Sequence, residues 1–65
     1  MKKAVFDLVH NQPAQSNFIH DFIGNLNGVK SVTVNNNAKK VIVEYDENQV
    51  TPYEIESTLR YNNFI

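Results

Sequence analysis

The sequence contains no cysteine and no tryptophan, and it has only two glycines, two prolines and one methionine among 65 residues. Without cysteine, the chain has no disulfide, no thiolate metal ligand and no thiol nucleophile. The lack of disulfides fits a reducing compartment. Neither sign of charge is in clear excess. Six basic and seven acidic residues are scattered along the chain, for a net charge of −1. Nucleic-acid binding needs a basic surface, so nucleic acid is not an expected partner.

Long apolar runs are absent too. Met1, Lys2 and Lys3 lead into an alternating strand and not into the apolar core of a signal peptide, and no run is long enough to span a membrane. A chain of this length makes one small domain. We therefore expect a single cytoplasmic domain over residues 1–65.

A strand and a helix are predicted in the first half of the chain. From Lys3 to Val9 apolar residues alternate, with Ala4, Phe6 and Leu8 on the predicted core face. From Pro13 to Leu26 the spacing is that of one helical stripe, made of Ala14, Phe18, Ile19, Phe22, Ile23 and Leu26. Pro13 suits a first helical turn, and Asn27-Gly28 is typical of a helix end.

The second half predicts a hairpin and a second helix. Val29–Val34 and Lys40–Tyr45 are β-rich runs joined by an asparagine-rich turn. Thr51 followed by proline and then by Glu54 is a capping box, which marks a helix that runs to about Asn62. Asn63 is a candidate left-handed terminator. Phe64 and Ile65 form at most the start of a fourth strand.

The element order βαββα(β) defines the expected fold. With right-handed crossovers it gives a ferredoxin-like sandwich of the α/β (α+β) class, in which two helices cover one face of an antiparallel sheet. The expected strand order is 4-1-3-2, with the fourth strand truncated. A truncated fourth strand leaves the edge of the first strand partly unpaired, which makes that edge a candidate pairing surface.

Two stretches carry a resemblance to a known family: LNGVKSVTVN from Leu26 and KVIVEYDENQV from Lys40, followed by Ile55, Leu59, Asn63 and Phe64. Together they resemble the heavy-metal-associated domain family, which includes small copper chaperones and the metal-binding modules of copper-transporting ATPases. Asn63 stands where the family has glycine. The resemblance covers nearly the whole chain and implies the ferredoxin-like fold and a role in metal handling.

The metal motif of that family is missing. The family binds Cu(I) through two cysteines of an M-x-C-x-x-C motif in the loop after the first strand, because soft thiolates select soft ions. Matching backward from the first helix places Gln12 and Gln15 at the cysteine positions and His10 at the methionine. Matching forward from the first strand places Pro13 and Ser16 at the cysteine positions. Neither register supplies a thiolate, so thiolate metal transfer is expected to be lost.

The loop from Val9 to Ser16 is nevertheless the candidate site. His10 could ligate a metal through an imidazole nitrogen, with only the weak neutral amides of Asn11, Gln12 and Gln15 beside it. The alternative is a solvent-exposed loop histidine. His20 lies five positions past Gln15, about 140° round the helix, and is not expected to converge with the loop.

Two further surfaces are open to alternative interpretations. The helix N-terminus at Pro13–Gln15 could accept an anion or a partner carboxylate, or it could simply be capped by neighbouring amides or water. Val5, Val9 and Ile42 could form an apolar patch on the open sheet face, or they could reflect ordinary strand propensity.

No acidic pair or nucleophile suggests catalysis, so an enzyme is not expected. The favoured hypothesis is a non-enzymatic protein-interaction or regulatory module related to metal handling, with no cofactor. It would dock on a metal-transport protein or another partner through the first loop and helix, with His10, Asn11, Gln12 and Gln15 as the candidate docking residues, or through the sheet edge. The alternative is a weak, non-thiolate metal-ion binding or transport protein that uses His10.

Overall fold

The computed structural model describes residues 1–9 and 15–65. Five elements follow one another along the chain: β1 (Lys2–Asp7), α1 (Gln15–Gly24), β2 (Val29–Asn35), β3 (Lys40–Tyr45) and α2 (Pro52–Tyr61). The three strands form one antiparallel sheet in the order β1-β3-β2. This is the ferredoxin-like arrangement expected from the sequence, with both helices on one face of the sheet.

The core lies between the central strand and the two helices. Val41 and Val43 of β3 are fully buried, and so are the inward-facing residues of the helices, Ile19, Ile23, Ile55 and Leu59. The alternation of β3 explains this arrangement, because every second side chain of a strand points to the same face. Ile42 and Glu44, which point the other way, are only half-buried and face the open side of the sheet.

Helix α1 corrects two sequence expectations. It ends at Gly24, two residues before the predicted end, because glycine is a poor helix former and leaves the last turn without support. Phe18 and Phe22, which the predicted stripe placed with the core, are 56% and 44% exposed. The buried face consists of Gln15, Ile19 and Ile23, at four-residue spacing. Phe18 and Phe22 lie on the helix surface beside this buried face and remain exposed.

Helix α2 begins as its sequence predicts. The Thr51 side chain accepts a hydrogen bond from the Glu54 backbone N–H at 3.2 Å, and Pro52 is the first helical residue. The helix ends one residue earlier than predicted, at Tyr61. Asn63 has a φ of 65°, which confirms the predicted left-handed terminator.

A turn at Gly28 connects α1 to β2 and packs against the segment that leads into α2. Gly28 has a φ of 97°, and its carbonyl accepts a hydrogen bond from the Asp46 N–H at 2.8 Å. An added Cβ would lie 2.7 Å from the Gln49 Cβ and 3.1 Å from a Val50 methyl carbon. Glycine is therefore required here both by backbone conformation and by space.

The described residues contain no fourth strand. The backbone N–H of Val9 donates to the Phe64 carbonyl at 3.1 Å, and the Phe64 N–H donates to the Leu59 carbonyl of α2 at 2.9 Å. The outer edge of β1 therefore has no strand beside it in this part of the chain. Neither described helix has the length or apolar character to cross a bilayer.

Candidate functional site

The predicted site loop begins where the end of β1 contacts the β2–β3 turn and the residues after α2. The Leu8 N–H donates to the Lys39 carbonyl at 2.8 Å, which joins the end of β1 to the β2–β3 turn. The Val9 N–H donates to the Phe64 carbonyl, which joins the same strand end to the residues after α2. On the other side of the loop, α1 begins at Gln15. Both ends of the loop are thus held by the body of the domain.

Gln15 fixes the start of α1. Its side chain is buried, and its Nε2 donates to Asn36 Oδ1 of the β2–β3 turn at 3.0 Å. A buried amide needs such a partner, and Ile19 one turn later fills the core beneath it. Gln15 was predicted as a docking or ligand residue, and the structure places its amide against the turn. Asn36 was missed, since the sequence offered it only as one of three consecutive turn asparagines.

The other predicted site residues, His10, Asn11 and Gln12, lie outside the described residues, and so does Pro13. The metal and docking hypotheses that concern them therefore remain predictions. The second histidine, His20, is described and is exposed on α1.

The donor set does not fit a thiolate-bound soft ion. The sequence has no cysteine, and its one methionine, Met1, precedes β1 and so lies at the opposite end of that strand from the loop. Over residues 1–9 and 15–65, no three His, Cys, Asp or Glu side chains come together as a metal cluster. In the sequence, the neighbours of His10 in its loop are the amides of Asn11, Gln12 and Gln15, and amide oxygens are weak ligands for Zn²⁺ or copper.

An exposed aromatic strip lies on α1 directly after the loop. The strip consists of Phe18 and Phe22, which are one helical turn apart. The Phe22 ring packs at 6.2 Å, centroid to centroid, against the buried Phe64 ring. This contact packs one end of the strip against Phe64, whose carbonyl also accepts the hydrogen bond from Val9 at the end of β1. Neighbouring exposed aromatic rings form a surface that a partner protein can bury.

On the open face of the sheet, an apolar pair lies between two rows of opposite charges, Lys3 with Glu44 and Asp7 with Lys40. Val5 lies opposite Ile42 and is 59% exposed, as the predicted apolar patch requires. Val9, the third member of that predicted patch, is exposed beyond the strand end. In the next row Asp7 forms an ion pair with Lys40. The apolar patch is therefore narrow and bordered by charges.

At the opposite end of the sheet, the connection between β3 and α2 is a compact polar turn. Hydrogen bonds from the Gln49 side chain, at 2.9 Å, and from the Asn48 backbone N–H, at 3.0 Å, lower the pKa of Asp46. Both bonds favour the ionised carboxylate. The turn supports α2 and the Gly28 turn, and it lies away from the site loop.

The described part of the chain has no enclosed pocket for a small molecule. Its fold defines a class, that of small ferredoxin-like sandwiches with two helices on an antiparallel sheet. The sequence profile of the family described as Heavy-metal-associated domain matches residues 16–62, well over half of the chain. The chain belongs to the heavy-metal-associated domain family, a family of metal-handling domains and chaperones that are generally non-enzymatic.

Several solved structures share this fold. A copper binding domain from HMA7, a P-type ATPase, is 24% identical, with a TM-score of 0.86 over 94% of this chain and 84% of that one. The CopZ metallochaperone is 18% identical, with a TM-score of 0.87 over 94% and 92%. Apo-CopP from Helicobacter pylori is 28% identical, with a TM-score of 0.80 over 92% and 91%. No curated protein matches the sequence.

Proposed function

We propose that this domain acts in metal handling as a protein-interaction or regulatory module, without catalysis and without carrying a thiolate-bound ion. One observation supports this proposal above all. The fold of the family is retained from the sheet to the α2 cap, whereas the sequence has no cysteine at all. The family match also begins at Ser16, immediately after the loop in which the family holds its ion. The match therefore leaves out both the ion-site loop and β1.

The proposed docking surface is the loop together with the α1 aromatic strip. His10, Asn11 and Gln12 supply polar groups, and Gln15 anchors the base of the loop through Asn36. The strip supplies the apolar area, and large aromatic side chains are the residues that most often dominate binding energy. The exposed side chain of Asp21, three residues after Phe18 on α1, adds a negative charge to this surface.

The proposed partner is a metal-transport protein, and specifically a metal-binding domain of a P-type ATPase or a metallochaperone. Proteins of these two classes share the fold of this chain. Nucleic acid is a poor candidate because the chain has a net charge of −1 and no basic stripe.

The aromatic strip gives the sharpest test of docking. We expect Phe18→Ser to weaken binding to such a partner domain by about tenfold or more, since loss of a contact residue at the centre of an interface costs at least about 1–2 kcal/mol. Tyr61→Ser is the matched control, because Tyr61 is 88% exposed on the other helix. Binding is measured by titrating ¹⁵N-labelled protein and following amide shifts. Equal affinities of the two variants would contradict docking through the strip.

The second candidate function is weak binding of a metal ion by His10, and it depends on the position of a histidine in the ligand loop. Titration with Cu(I), Cu(II), Zn(II) and Ni(II) tests it directly. Micromolar binding that is lost in His10→Ala and kept in His20→Ala would establish the ion-binding function and contradict a purely protein-docking role. If no amide shifts at about millimolar metal, where even a weak site would be filled, the ion-binding function is excluded.

A further inference from the structure

The side of the sheet that points away from the helices carries three rows of side chains. Each row takes one residue from β1, one from β3 and one from β2, as the strand register fixes them. The outer rows are Lys3–Glu44–Ser31 and Asp7–Lys40–Asn35, and the middle row is Val5–Ile42–Thr33. We call this set the open sheet face. Another strand paired beside β1 would widen this face without covering it.

Charge on the open sheet face reverses along each of two strands. All of its side chains are exposed or half-buried. On β1 the charge changes from positive at Lys3 to negative at Asp7, and on β3 it changes from negative at Glu44 to positive at Lys40. Asp7 and Lys40 form an ion pair within the chain. The two charged rows therefore have opposite polarity, and the apolar side chains of the middle row separate them.

This pattern is complementary to itself. Two copies can be stacked face to face about a two-fold axis that runs along the middle row. Lys3 of each copy then lies over Asp7 of the other, and Glu44 lies over Lys40. The valine and isoleucine of the middle row lie over their own counterparts and close an apolar centre. We propose that two copies of this chain associate through the open sheet face in this orientation.

The other two-fold arrangement does not match. An axis along β3 would stack Glu44 on Glu44 and Lys40 on Lys40, and it would place the charges of β1 over the uncharged side chains of β2. Sheets that pack face to face lie about 10 Å apart and cross at about 30°. A lysine and a carboxylate together span that separation. The charges thus favour a single orientation of the two copies.

The contact is small. Neighbouring strands lie about 4.8 Å apart and side chains on one face of a strand about 7 Å apart, so the open sheet face covers roughly 10 by 14 Å between its outermost Cα positions. An interface of this size gives a weak dimer. Sedimentation equilibrium at up to about 1 mM protein detects such a dimer. Because the helices lie on the other side of the sheet, dimerisation leaves the α1 aromatic strip free.

Charge reversal on the central strand tests the proposal. Both edges of β3 are paired within its own sheet, so its side chains report the stacking of faces and not the pairing of strand edges. Glu44→Lys stacks lysine on lysine in two places of the dimer, and Lys40→Glu does the same with carboxylates. Each variant alone should dimerise about tenfold or more weakly than the wild type, since like charges that face each other across an interface repel.

A mixture of the two variants separates stacking from effects within one chain. In an equimolar mixture every stacked pair is again of opposite charge, so the heterodimer should form with about wild-type affinity. The loss of the Asp7–Lys40 ion pair in Lys40→Glu persists in the mixture and cannot produce this rescue. A mixture no more dimeric than its components would overturn the proposal.

Thr33→Lys provides a second test if a charge reversal prevents folding, because Thr33 is exposed and meets its own counterpart on the axis. Tyr61→Lys is the matched control, since it adds the same charge to α2 at a residue that is 88% exposed. Thr33→Lys should weaken the dimer about tenfold, and Tyr61→Lys should leave it unchanged. Equal affinities of these two variants would overturn the proposal, because the copies would then meet through another surface. A wild-type protein that stays monomeric at about 1 mM would overturn it as well.

Discussion

A substitution at Gly28 directly tests the packing of the α1–β2 turn against the segment that leads into α2. Gly28→Ala forces a side chain onto a backbone with a φ of 97°, which costs about 1–2 kcal/mol for an L residue. The new Cβ would also meet the Gln49 Cβ at 2.7 Å, so one of the two turns must move. Displacing packed atoms typically costs about 1–3 kcal/mol more.

The sum is about 2–5 kcal/mol, which is comparable with the total stability of a domain this small. At about 4–8 °C per kcal/mol, the melting temperature should fall by at least about 8 °C. Circular dichroism on heating, or urea denaturation at 25 °C, measures the effect. The Gly28–Asp46 hydrogen bond should be weakened at the same time, which amide exchange at Asp46 reports.

Gly24→Ala is the matched control. Gly24 is the last residue of α1, and an added Cβ would meet nothing within 4 Å. Because alanine favours helix over glycine by about 1 kcal/mol in a helix interior and by less at an end, this variant should be neutral or slightly more stable. If Gly28→Ala melted within about 3 °C of the wild type, the reasoning from φ and close approach would be refuted.

Three further variants test other parts of the structure. Thr51→Ala removes the α2 cap and should cost about 1 kcal/mol, whereas Thr51→Ser should retain most of it; equal melting temperatures would mean that the cap contributes nothing. Gln15→Ala and Asn36→Ala, combined in a double-mutant cycle of urea denaturation, should show a coupling of about 0.5–1.5 kcal/mol, and additivity would contradict the contact. The stabilisation from ionised Asp46, whose folded pKa is lowered, is fully present above its unfolded pKa of 3.8 and is lost as pH falls through the folded value. The stability difference between wild type and Asp46→Asn should therefore be constant at neutral pH and shrink in acid. A difference that grows in acid would contradict the prediction that ionised Asp46 stabilises the fold.

The fold was largely predictable because its local signals agree with one another. The Thr51 cap, the left-handed Asn63 and the bounds of β3 follow from capping, turn and alternation patterns that act within a few residues. The first helix was less predictable. Its apolar residues occupy two adjacent faces, and only the sheet decides that Ile19 and Ile23 face inward while the aromatic strip stays exposed.

The location of the candidate site stays a prediction, and the contacts that support its loop could not be predicted from the sequence. The family resemblance identified the loop after β1, and the cysteine count excluded thiolates there. The contact between Gln15 and Asn36 joins residues that are 21 positions apart, and no local pattern distinguishes a buried glutamine from an exposed one. Long-range hydrogen bonds of this kind depend on the packing of α1 against β2.

The central claim is that this domain docks on a metal-transport partner without a bound copper ion. The most direct test titrates ¹⁵N-labelled protein with a P-type ATPase metal-binding domain, once with Cu(I) present and once with a strong Cu(I) chelator. The same amides, in the loop and along α1 to Phe22, should shift with the same affinity in both titrations. Shifts that appear only with Cu(I), or none in either titration, would contradict the account.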